Sequence, residues 1–228
     1  MSRSARLLAL PLALVVSVGG CQTDGRATHM IERSGDRAMR QADYAFAAAE
    51  YREAVNQRPG KWETRVKLAE ALLAGDRPAF AREQLEIAYT QRPTNTRVLD
   101  LLAESMLRSG DTEAMTRELR FAAEESGDAA DWYRLGVFLT RAGDDDAAET
   151  ALRTAARLDG GNDAAFQIGL ANFYRSVGDE ERSLERLRMA LFLDQANEGV
   201  RSAIREMGHV PGPTYGLVPR ERSESLGG

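Results

Sequence analysis

Hydrolysis, group transfer and metal chemistry each need a recognisable set of side chains: a nucleophile beside a base, a carboxylate pair in a cleft, or a metal cluster. The 228-residue sequence has two histidines, His29 and His209, near opposite ends, and neither lies in an HExxH-type run that puts two imidazoles on one helix face. Its single cysteine, Cys21, rules out an internal disulfide and a zinc cage built on several thiolates. Asp144-Asp145-Asp146 opens an apolar-periodic segment, where favourable interaction with a helix N-terminal dipole explains three carboxylates without a bound cation. No Gly-rich phosphate loop follows a strand pattern, because there are no strand patterns. The expectation is a protein with no catalytic residues, no metal, no cofactor and no small-molecule substrate. Two kinds of chemistry remain, a modification at Cys21 and non-covalent recognition by a built surface.

The totals narrow the second of these. A composition of 43% hydrophobic and 29% charged residues is that of a globular chain. The formal net charge of -5 becomes more negative if a leader bearing Arg3 and Arg6 is removed, which argues against nucleic acid as a partner. Lys61 and Lys67 are the only lysines, so almost every cation is an arginine. Codon bias explains that preference, although arginine forks also suit carboxylates and phosphates.

The modification at Cys21 depends on what surrounds it. Met1 to Arg6 carry two arginines, Leu7 to Val18 form an apolar run broken by Pro11, and Gly19-Gly20-Cys21 supplies small residues, the three-part layout of an export signal. The run is shorter than the roughly 20 residues a membrane-spanning helix needs. Val18-Gly19-Gly20-Cys21 resembles the lipobox of bacterial lipoproteins, with Val18 and Gly19 where Leu and Ala or Ser are more usual. The resemblance implies a signal peptide over 1–20, acyl chains on Cys21 as the first mature residue, and a short tether over 21–27. Several acyl chains, palmitate among them, give the multiple anchoring signals that stable membrane attachment needs. Gln22, where an Asp would retain the protein at the inner membrane, implies an outer-membrane lipoprotein facing the periplasm.

The surface is built from a recurring element. In Asp131 to Ala155, Trp132, Leu135, Gly136 and Leu139 share one face of a helix and Ala148, Leu152 and Ala155 one face of a second, with Ala142-Gly143-Asp144 as the turn. This spacing resembles the tetratricopeptide repeat, whose period is about 34 residues. The same spacing recurs along the chain. A unit over 28–61 has Gly35, Ala47, Tyr51 and Ala54; one over 62–95 has Leu68, Ala69, Leu72, Ala81, Leu85 and Ala88, with Arg65 at the Trp position. Units over 96–128 and 164–197 follow the same spacing on either side of the 129–162 hairpin. Small residues recur so that backbones approach, with a large neighbour filling the remaining volume. Gly-Asp in the turns offers a left-handed C-cap followed by an N-cap acceptor. Val200, Ile204 and Met207 give a capping helix over 198–207. The Pro and Gly content of 208–228, without periodicity, predicts an unstructured tail. The fold implied is all-α, a right-handed superhelical stack of about five hairpins with a C-terminal capping helix.

In that family the first helix of each unit lines a concave groove that holds extended peptides or partner helices. Carried over, the groove has an acidic row (Asp36, Glu70, Glu104) that loses charge at Val137 and Asn172, and a basic row of Arg40, Arg108, Arg141 and Arg175. Each arginine lies in the last turn of its helix, where compensation of the dipole is sufficient reason for it. The functional expectation is that Tyr133, Asn172, Arg108, Arg141 and Arg175 receive a protein segment. Glu32 and Asp100 stand where a clamp for chaperone C-termini would want cations, which disfavours that partner. The sequence thus implies a lipid-anchored scaffold for assembling or localising an envelope complex, as pilotin-type lipoproteins do. A self-associating structural protein, or a soluble adaptor if the leader is retained, are the alternatives.

Overall fold

The computed structural model describes residues 26–225, with the side chains of 26–222. The leader, Cys21 and most of the expected tether lie outside the described residues. Helices follow one another in antiparallel pairs: α1 (Thr28–Arg40) with α2 (Tyr44–Gln57), α3 (Trp62–Ala74) with α4 (Pro78–Gln91), α5 (Thr96–Arg108) with α6 (Thr112–Ser126), α7 (Ala129–Ala142) with α8 (Asp145–Asp159), and α9 (Ala164–Ser176) with α10 (Glu180–Leu193). Then come α11 (Glu198–Glu206) and the short α12 (Arg220–Ser225). From α1 to α10 each helix packs on the helix after it, and the odd-numbered helices α3, α5, α7 and α9 also meet one another. The result is a continuous superhelical stack with a core that runs its length, from Leu68 and Leu85 through Leu102, Leu119 and Leu139 to Leu170. Among the described residues no helix is long and apolar enough to cross a membrane.

The small residues do what the spacing requires. A methyl group on Gly136 would lie 2.6 Å from Leu152 Cγ, and one on Gly35 2.6 Å from the Tyr51 ring. Ile31, where the repeat pattern has Trp, is fully buried. At the caps the agreement is partial. Asp43, Asp111, Asp144 and Asp179 each accept a hydrogen bond from a backbone N–H in the first turn of the second helix. In α4 that duty passes to Pro78 at the first position, which has no N–H to satisfy. The left-handed turn position is Gly110, Gly143 and Gly178 in three units, but Ala42 and Asp76 adopt it in the first two, both at φ 57°. A side chain there costs about 1–2 kcal/mol, which the packed hairpins on either side sustain.

Val200 and Ile204 of α11 are buried against α10, so the capping helix covers the open end of the stack. The expectation of an unstructured tail over 208–228 is corrected for its described part. From Val210 the chain turns back along α10, Pro211 and Pro219 are buried, and α12 ends the described chain. Its order comes from tertiary partners far away in sequence, principally an ion pair between Glu221 and Arg186 at 2.6 Å, which leave no periodic trace.

Candidate functional site

The odd-numbered helices share a face, and the charges on that face are cross-connected. Glu32 accepts hydrogen bonds from Lys61 at 2.8 Å and Thr64 at 2.6 Å, and Asp36 from Lys67 and the Tyr51 hydroxyl, both at 2.7 Å. Glu70 pairs with Arg97, Asp76 with Arg108 at 2.7 Å, Asp100 with Arg134 at 2.5 Å, and Glu104 with Arg141 at 2.6 Å. In each of these acid–cation pairs the carboxylate belongs to one hairpin and the cation to the next, Lys61 being the N-cap residue of α3. They staple successive repeats together. Most are partly open to water and contribute about 0.2–1 kcal/mol each. Arg134 is 14% exposed and also held by Asp131, which makes it the firmest rung.

This ladder absorbs two of the five expected partner-binding residues, since Arg108 and Arg141 are engaged with carboxylates of the preceding hairpin. Tyr133 is engaged too. Its ring stands edge-on to Phe166, with centroids 5.5 Å apart, and packs directly onto Gly169, so half of it is buried between α7 and α9. Burial raises the Tyr133 phenol above its ordinary pKa, with Asp163 adding to the effect. Asn172 and Arg175 are exposed, and with Ile168 they share one face of α9. Among the described residues Arg175 has no ion pair, because Val137 occupies the place on α7 that Glu104 occupies on α5. The ladder therefore ends in a cation and an amide with no counterpart, on the same helix whose Gly169 seats the Tyr133 ring.

The ladder also makes the first repeat sensitive to acid. Burial pushes the Glu32 carboxyl up, but the hydrogen bonds from Lys61 and Thr64 outweigh it and hold it below the ordinary range. Asp36 is likewise pushed up by burial and held low, on balance, by Lys67 and Tyr51. A depressed folded-state pKa means stabilisation that is complete above the unfolded value of roughly 4 and is lost as pH falls through the folded one. Melting at pH 6 and pH 3 should show a smaller acid-induced drop in a Lys61→Met/Lys67→Met variant than in the parent. Equal drops would mean that these pairs carry no linkage.

The Asp144 carboxylate caps α8 through Ala147 N–H, as its position suggests. Among the described residues no three His, Cys, Asp or Glu side chains converge on a point. A cleft of about 700 Å³ lies on the opposite side of the stack, between α8, α10 and α12, where Glu149 pairs with Arg182 and Glu185 with Arg220.

No protein-family model matches the sequence, and no curated protein matches it. Solved structures do. The crystal structure of MamA protein aligns with 84% of this chain and 98% of its own at 19% identity, with a TM-score of 0.55. MamA from residue 41 onward of Desulfovibrio magneticus aligns over 76% of this chain and 98% of its own, at 15% identity and a TM-score of 0.56. A thermophilic TPR protein of Thermus thermophilus covers 79% of this chain and 98% of its own at 19% identity, TM-score 0.52. This is the tetratricopeptide-repeat fold. At such identities the likeness extends to the stacking of TPR hairpins and not to individual surface residues. What sequence reasoning missed is that the groove charges of the TPR stack are inter-repeat staples. The one available signal was that Glu32, Asp36, Glu70, Asp100 and Glu104 on the first three first helices each have a cation roughly one repeat further along.

Proposed function

We propose that the chain is a membrane-anchored TPR scaffold of a bacterial envelope, tethered through acylated Cys21. Its first-helix face holds a segment of a protein partner at the α7–α9 end. Arg175 carries this reading. Where Arg108 and Arg141 have carboxylates from the preceding repeat, Arg175 has none, and it sits with Asn172 where a partner's carboxylate and backbone amide would find a cation and an amide. The anchor adds local concentration and, with a membrane-associated partner, avidity. Architecture and anchor together resemble pilotin-type lipoproteins, so the partner is expected to be a component of an envelope machine. No element of the reading requires catalysis.

The test is in-cell photo-crosslinking from Asn172, which is exposed, whereas Tyr133 is wedged against its neighbours. One abundant envelope protein is expected, with capture reduced about ten-fold or more by Arg175→Glu, the scale for reversing a contacting charge. Capture unaffected by that change would sink the groove reading. Cys21→Ala should move the protein out of the membrane fraction with loss of its acyl groups, and a variant that stays with membranes refutes the anchor.

A second reading, self-association, has its own observation. Phe46, Phe80, Ile87 and Phe121 are exposed on the even-numbered helices, Phe121 at 61%. Phe46 and Phe80 hold the same position after the caps of α2 and α4, so they form a repeated apolar feature on the face opposite the groove. Concentration-dependent sedimentation that Phe80→Ser/Phe121→Ser abolishes is the expected sign of it.

A further inference from the structure

The tail that turns back along α10 is held in the manner of a bound peptide. Arg188 Nε donates to the Tyr215 carbonyl at 3.0 Å while its guanidinium lies over the Tyr215 ring, and Leu217 N–H donates to the Arg188 carbonyl at 2.9 Å. Gly216 rides directly on the α10 backbone, where a methyl group would come within 2.9 Å of Phe192 Cα. Beyond it, Glu221 enters a polar recess. One carboxylate oxygen accepts from Arg186 at 2.6 Å and the other from Gln167 Nε2 at 3.2 Å, and Gln167 Oε1 in turn accepts from Arg186 at 2.9 Å. Arg186 is 8% exposed and Gln167 fully buried. Finally Arg222 donates to the Gly161 carbonyl and to Asn162 Oδ1. An aromatic anchor, backbone pairing, a glycine close approach and a carboxylate on a cation–amide pair are the parts of an extended-peptide site.

The register of the repeats sets α10 apart from the other second helices. Ile87 and Phe121 occupy the same place after the N-caps of α4 and α6, and both are exposed. Met189, at that place on α10, is 1% exposed in the one unit over which the tail lies. Even-numbered helices therefore stand uncovered elsewhere in the stack, and α11 already caps its open end.

We infer that the outer face of α10, with Arg186 and Gln167, is a second peptide-binding site, distinct from the groove, which the chain's own tail fills in cis. Its ligand class is an extended segment carrying an aromatic residue, a following glycine and, further on, a carboxylate, as Tyr215, Gly216 and Glu221 do. A partner with such a segment takes the tail's place. Attachment gives the tail a high effective concentration, so it is the resident occupant until a competitor arrives. Within Glu221, burial works against the charged carboxylate, and the Arg186 and Gln167 hydrogen bonds reverse this, leaving the group ionised at neutral pH.

The test uses the folded full chain with a protease site inserted after His209, in the exposed link before the docked strip, cut after folding, with a fluorophore on the tail. The expected result is that the cut tail dissociates on dilution while the far-ultraviolet helical signal persists. A synthetic peptide of residues 210–225 then rebinds saturably, and its Glu221→Gln version binds at least ten-fold more weakly. The uncut chain should bind the same peptide far less well than the cut one. Loss of helical signal when the tail leaves, or equal binding of the two peptides, overturns the inference. A cut tail that excess peptide never displaces overturns it too. In a chain without the inserted site, Glu221→Gln should speed proteolysis within the 210–222 tail relative to the parent, and unchanged cleavage counts against the carboxylate's role.

Discussion

Replacing Leu152 with alanine is expected to cost the α7–α8 hairpin about 2–5 kcal/mol, the range for emptying a fully buried leucine site. Leu152 is buried and sits against Gly136, so neither helix can move in to fill the void without repacking the seam. The same contact predicts a coupling that a generic core site would not show. Gly136→Ala gains about 1 kcal/mol in helix propensity. In the parent, however, the new methyl meets Leu152 Cγ at 2.6 Å and the Leu152 backbone nitrogen at 3.1 Å, so the variant should lose about 1–3 kcal/mol to overpacking. In the Leu152→Ala background the side-chain clash is gone and the added methyl fills part of the cavity. Gly136→Ala should there be neutral or stabilising. Amide exchange on α7 and α8 is the suitable measurement, because stability in a solenoid is local and a global midpoint averages over repeats. Equal destabilisation by Gly136→Ala in both backgrounds would show that the leucine contact is not the reason for the glycine.

Much of the stack was legible because its causes repeat. A hydrophobic face every three or four residues, a small residue at each close crossing and a polar turn between helices recur through five units, and their agreement makes accident implausible. Where a unit departs from the pattern, the structure supplies another solution. Ala42 and Asp76 accept a strained left-handed backbone at the position other turns give to glycine, Asp76 although Gly75 stands one residue before it, and the hairpins they join hold them there. The groove charges were legible as rows and illegible as pairs, since the partners are 27 residues apart for Arg97 and Glu70 but 34 for Arg134 and Asp100. No single offset finds them. The tail left no periodic signal, only the apolar residues Tyr215, Leu217 and Val218 as candidates for docking. Arg186 and Glu221 form their pair across 35 residues, and Arg222 reaches Gly161 across 61, in a segment where proline and glycine suggest the opposite of order. Periodicity reports which face of an element is buried, and it is silent about an irregular segment held by scattered contacts with residues far away in sequence.

Gly169→Ala should disturb the candidate groove without touching any of its charges. The added methyl would lie 2.2 Å from Tyr133 Cε2 and 3.0 Å from its Cζ and hydroxyl oxygen. Phe166, three residues before Gly169 on the same helix, flanks the ring edge-on, so the added methyl pushes the ring away from α9. The gain in helix propensity, about 1 kcal/mol, is set against about 1–3 kcal/mol of overpacking and the lost ring contacts. Two spectroscopic consequences follow from the ring's release. Near-ultraviolet dichroism should weaken, and the Tyr133 phenol, held above its ordinary value by burial, should titrate closer to the free value of about 10. Tyr133→Phe, which keeps the ring and removes the hydroxyl, should retain the packing and lose only that titration. If the partner contacts Asn172 and Arg175 beside a fixed aromatic edge, Gly169→Ala should weaken capture from Asn172 although Arg175 is intact. Full capture with a displaced ring would restrict recognition to α9 alone, while an unchanged Tyr133 titration would mean that the glycine is not what seats the ring.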